Sequence, residues 1–81
     1  MKLNIRDYHM TQIEYYGNLL TTPIRGWVVT FSNGAVYWTD IRPNLKNGTW
    51  FLDYDSDCIN ICHFDVPSDF EWTKSLVEVV A

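Results

Sequence analysis

The sequence predicts an α+β fold: a small antiparallel β-meander or partly open barrel with a short C-terminal helix. Three observations lead there. Two β-prone runs, Gly26 to Ser32 and Ala35 to Ile41, flank Asn33-Gly34, a dipeptide that tolerates the positive φ angles of a two-residue hairpin turn. Two further runs, Thr49 to Tyr54 and Cys58 to Phe64, alternate too briefly for helices. Ser68 and Glu71 then stand three apart, as in a capping box, ahead of Trp72, Leu76, Val79 and Val80 at helical spacing. With 81 residues there is room for one hydrophobic core, so residues 1–81 are expected to form a single domain.

Taken in order, the first 22 residues carry the weakest pattern. Lys2 to Tyr8 alternates loosely, and Thr11 with Glu14 could cap a short helix. Ile13 to Tyr16 ahead of Gly17-Asn18 and Leu19-Leu20 favours a hairpin instead. In the central hairpin a two-residue turn would set Phe31 opposite Val36, Val29 opposite Trp38 and Trp27 opposite Asp40 on the core face. Thr30 would then oppose Tyr37, and Val28 would oppose Thr39, on the other face. Arg42-Pro43 ends that hairpin, because proline cannot donate to a central ladder, and Asn47-Gly48 turns into the Thr49 run. Strict alternation in the fourth run places Cys58, Asn60, Cys62 and Phe64 on one face and Ile59, Ile61 and His63 on the other. The helix is expected over residues 69–79, with Asp69 against its positive end. Its Val-rich end, Leu76 to Val80, also suits a closing edge strand.

A chain this short buries only about 60% of its unfolded surface, and its 16% aromatic content supplies the large side chains such a core needs. The net charge of −4 is unevenly spread. Up to Leu52 the bases Lys2, Arg6, Arg25, Arg42 and Lys46 exceed the acids Asp7, Glu14 and Asp40. From Asp53 onward seven acids face Lys74 alone. Such a field attracts basic partners and repels a phosphate backbone. No apolar stretch is long enough to span a bilayer and the first residues lack a secretory pattern, so a cytoplasmic location is expected.

Three groupings invite chemistry. Asp53-Tyr54-Asp55-Ser56-Asp57 resembles the opening of a calcium loop, but Cys58 stands where that loop needs glycine and Phe64 where it needs a bidentate glutamate. Cys58, Cys62 and His63 lack the count and spacing of a zinc knuckle. On a strand, Cys58 and Cys62 would lie about 13 Å apart, too far for a disulfide. A Cys-His nucleophile pair using His9 or His63 has neither a glycine elbow nor a helix N-terminus beside a thiol. No enzyme activity, cofactor or metal is therefore expected.

What the sequence favours is a non-enzymatic acidic protein-binding module, an inhibitor or competitor of the kind phages and mobile elements carry. It would occupy a basic, nucleic-acid-engaging surface of a larger protein. The expected binding residues are Asp53, Tyr54, Asp55 and Asp57 in one arm and Asp65, Asp69 and Glu71 in a second, with Tyr54 or Trp72 as anchor. Self-association into a homodimer stays open. So do a barrel-like nucleic-acid-binding domain stacking bases on Tyr37, Trp50 and Tyr54, and a small Cys/His hydrolase. Ten acids against six bases argue against direct nucleic-acid binding.

Overall fold

A computed structural model describes residues 9–80; the loosely alternating segment Lys2 to Tyr8 and the base Arg6 lie outside the described residues. In chain order the strands are β1 (Met10–Tyr15), β2 (Asn18–Pro23), β3 (Arg25–Thr30), β4 (Ala35–Thr39), β5 (Asn44–Lys46), β6 (Thr49–Phe51), β7 (Cys58–His63) and β8 (Val77–Val80). All pair antiparallel. A sheet in the order β7-β4-β3-β8 is accompanied by two ribbons, β1-β2 and β5-β6. The fold is a small antiparallel β structure whose main sheet is open at both edges among the described residues.

The N-terminal hairpin forms, but it turns at Tyr16-Gly17, one residue before the expected Gly17-Asn18, because Tyr16 and Gly17 both take positive φ; Ile13 pairs with Leu20. Its inner face lays Ile13, Tyr15 and Leu20 on Val28, Val36, Trp38 and Val79 of the sheet, and Ile59, Ile61, Cys62 and Phe64 close the rim of this core. On the opposite face, Val29 and Thr39 are also fully buried. There Trp50 is nearly inaccessible and its Nε1 donates to the Trp72 carbonyl at 3.0 Å, fastening β6 to the C-terminal segment.

The C-terminal helix expected over residues 69–79 does not form. Its place is taken by a single 3₁₀ turn, Trp72–Lys74, without a side-chain cap, and by strand β8. Ser68 is exposed and precedes no helix. The physical reason is tertiary. β3 has an open edge, and a β-branched run fits it better than a helix does: Val77 pairs with Val28 and Val79 with Gly26. Two residue pairs beyond Val28/Val77, the Ser75 side chain completes the edge, because Oγ accepts the Thr30 N–H at 2.8 Å.

The central hairpin is displaced by one residue from the expected register. Val28 pairs with Trp38 and Thr30 with Val36, so these four side chains share the core face. Trp27 instead pairs with Thr39, and Val29 with Tyr37. The loop has three residues, not two. Gly34 N–H reaches the Phe31 carbonyl at 2.9 Å, Phe31 N–H reaches the Ala35 carbonyl at 2.8 Å, and the Asn33 carboxamide accepts the Ala35 N–H at 3.0 Å. Only Gly34 of the pair takes a positive φ, +89°, whereas a two-residue type I′ turn needs both residues there and type II′ needs the first. A Cβ on Gly34 would also run into the Phe64 carbonyl, which pins this turn beneath the end of β7.

Strict alternation fails in β7 as well. A bulge opposite the Val36/Tyr37 step brings Ile59 and Cys62 to the same side, across from Trp38 and Val36, while Cys58 pairs with Thr39 on the other. The two thiols do not share a face, and both are unbridged.

Candidate functional site

The first acidic arm is a self-contained turn following β6. Asp53 organises it: its carboxylate Oδ1 accepts the Asp55 N–H at 2.8 Å, and its carbonyl accepts both the Ser56 N–H at 3.0 Å and the Ser56 hydroxyl at 2.6 Å. Aspartate favours this arrangement because its short side chain reaches the backbone two residues on. The turn lifts Tyr54 wholly into solvent, at 105% relative exposure, between the exposed Asp53 and Asp55.

Asp57 does not join that surface. It is 4% exposed, and its backbone is stapled to the end of β4: its N–H donates to the Asp40 carboxylate at 2.8 Å, and its carbonyl accepts the Asp40 N–H at 3.1 Å. Its place at the head of β7 makes it part of the scaffold, so the expected arm reduces to Asp53, Tyr54 and Asp55.

The second arm lies elsewhere. Asp57 precedes β7 and Asp65 follows its other end, roughly 17 Å or more along an extended strand. Asp65 and Asp69 are exposed, whereas Glu71 forms a 3.0 Å ion pair with Lys74. The proposed anchor Trp72 is half-buried, and its carbonyl accepts from both Trp50 and Ser75. Tyr54 is thus the anchor candidate the fold leaves free to reach a partner.

Of the candidate base-stacking residues, Trp50 is a buried strut. Tyr37 joins Phe31, Trp50, Phe51 and Leu52 around an open hollow of about 500 Å³ on the second face of the sheet, with its ring 5.3 Å from Phe31 in an edge-to-face contact. Among the described residues no three His, Cys, Asp or Glu side chains converge to hold a metal ion. Burial pushes the Cys62 thiol pKa up, away from the thiolate that nucleophilic chemistry requires. No helix among the described residues is long and apolar enough to cross a membrane.

Sequence reasoning missed Tyr16, Phe64 and Phe70, which the fold gathers around a second hollow of about 410 Å³. The signal for Tyr16 was its position before Gly17, where a primed turn demands positive φ from a tyrosine. Comparisons with protein-family models, with curated proteins and with solved structures find no match to this chain.

Proposed function

We propose that this protein works by stoichiometric binding: it docks on a basic surface of a larger protein that ordinarily engages nucleic acid, and it competes for that surface. The observation that carries the proposal is Tyr54, fully exposed between two exposed carboxylates on a turn that its own hydrogen bonds preform. A tyrosine buries much area with little loss of side-chain freedom on binding, which is why it recurs at the energetic centres of interfaces. Flanking carboxylates accelerate approach to a positive surface, and a turn already in its bound shape lowers the entropic cost of docking.

The test is affinity capture from a lysate of the source cells at low and moderate salt, followed by calorimetry with the captured protein. The Asp53→Lys/Asp55→Lys double variant is expected to bind about tenfold or more weakly and with a flatter salt dependence. Tyr54→Ala should lose affinity at both salt concentrations. Unchanged affinity in folded forms of both variants would overturn the proposal. Asp57 is not a suitable position for charge reversal, because its burial confuses binding with folding.

A further inference from the structure

We propose that the hollow between the β1-β2 turn and the segment after β7 is a cation-accepting aromatic site, shaped for an arginine side chain of a partner protein. It goes beyond the Tyr54 turn, since it stands at the opposite end of β7 from Asp57 and uses different residues. Its walls are Tyr16, Phe64, Pro67 and Phe70, and its polar members are Asn18 and Asp65.

Tyr16 is the telling residue. It takes φ +49°, a left-handed conformation that asparagine or glycine adopts far more readily than an aromatic residue. Burial does not compensate, since the residue is 53% exposed. The ring is nevertheless held on several sides: it meets Tyr15 at 4.9 Å and 89°, and Phe70 at 5.1 Å and 72°. Its hydroxyl donates to the Lys74 carbonyl at 3.4 Å, and Asn18 fixes its backbone by donating to the Tyr16 carbonyl at 3.0 Å. An exposed ring held in a strained conformation and walling a hollow is the kind of outlier that points to recognition.

The charge around the hollow decides what it takes. Aromatic faces carry negative potential, and Asp65 adds a full negative charge at the wall, with Asp69 next to Phe70 in the chain. Lys74, whose carbonyl accepts from the Tyr16 hydroxyl, has its ammonium paired with Glu71 at 3.0 Å. An anion is repelled here, and a purely apolar group would desolvate Asp65 without offering it a donor. A guanidinium satisfies both requirements, since its plane stacks on rings while its edge gives paired N–H donors to a carboxylate; an ammonium offers only a point charge.

The probes are N-acetyl-arginine methylamide, its uncharged citrulline counterpart and N-acetyl-lysine methylamide, titrated into the intact protein and followed by amide chemical shifts. The arginine probe should give saturable shifts centred on Tyr16, Asn18, Asp65 and Phe70, with the citrulline probe about tenfold weaker and the lysine probe weaker than arginine. Asp65→Asn should reduce arginine affinity roughly fivefold while leaving the rest of the spectrum in place. Tyr16→Asn relieves the backbone strain, so it should fold at least as stably and still lose the probe. If Tyr16→Asn fails to fold, Asp65→Asn decides. The Asp53→Lys/Asp55→Lys variant should bind the arginine probe as the wild type does, which separates this site from the Tyr54 turn. Equal shifts with citrulline, lysine binding as tightly as arginine, the absence of saturable shifts, or unchanged affinity in Asp65→Asn would each overturn the assignment.

Discussion

The Tyr15 hydroxyl donates to the Ser75 carbonyl at 3.0 Å, joining the first strand of the N-terminal ribbon to the residue that leads into β8. Having given its one proton to Ser75, the hydroxyl accepts from Thr30 Oγ1 at 2.7 Å, so three segments distant in sequence meet at one buried oxygen. Ser75 Oγ takes the Thr30 N–H in turn and lies 2.6 Å from the Trp72 carbonyl, to which it donates.

Replacing Ser75 by Ala should therefore cost about 1 to 3 kcal/mol, because the buried Thr30 N–H loses its acceptor. Ser68→Ala, which would be costly if Ser68 capped a helix, should fall within about 0.5 kcal/mol of wild type. Urea denaturation midpoints of the two variants make the comparison; equal losses would contradict the edge-completing role of Ser75.

Burial raises the Tyr15 pKa, with its hydrogen bonding to Thr30 and Ser75 partly offsetting it. Below a pH of about 10 the phenol is protonated in both folded and unfolded chains, and its contribution to stability is flat. As pH rises past that value the unfolded chain releases the proton first, so the folded state binds more protons and stability falls until the folded pKa is passed. Tyr15→Phe should be less stable at neutral pH by about 1 to 3 kcal/mol yet lose less on going alkaline. Denaturation midpoints across about pH 8 to 11 would show the two curves converging.

Gly26 lies against Trp38. At φ +134°, a Cβ would overlap the indole, whose Nε1 donates to the Arg25 carbonyl at 3.0 Å, and would press on the Thr39 carbonyl. Gly26→Ala should cost about 2 to 4 kcal/mol through combined backbone strain and overpacking. Thermal unfolding would check this, and a change in near-ultraviolet circular dichroism would report displacement of the Trp38 ring.

The two thiols should react at different rates. Cys58 is exposed, whereas Cys62 is half-buried and its pKa is raised by that burial. A chromogenic disulfide reagent should give one fast and one slow phase, with Cys58→Ser abolishing the fast one. Two equal phases would contradict the face assignment that the β7 bulge imposes.

Strands were legible where turn chemistry and alternation agreed, as in the Thr49 run that follows Asn47-Gly48, whereas the first hairpin turns at Tyr16-Gly17, one residue before the expected Gly17-Asn18, and β5 has no counterpart in the sequence pattern. Register was not legible at Asn33-Gly34, because the same dipeptide closes a two- or a three-residue loop, and the turn is held by contacts with Phe64 at the end of the neighbouring β7, about thirty residues on in the chain. The bulge in β7 leaves no local trace either. At the C-terminus a capping pattern of local origin yielded to the pairing demand of β3, which no window around residue 70 contains. Of the expected binding residues, exposure at Asp53, Tyr54 and Asp55 follows from their turn chemistry. The burial of Asp57 depends on Asp40, brought beside it only by the fold.

The pairing of β8 with β3 also sets a timetable for biosynthesis. Arg25 meets Val80 across the ladder, so β3 is translated long before its partner exists. At roughly 5 to 20 residues per second, a nascent chain spends seconds with Val28 and Thr30 lacking a neighbour on that side. During that interval the open edge can recruit the same strand from another chain on the polysome, and chaperone access or slower initiation should matter more for soluble yield than the stability of the finished sheet.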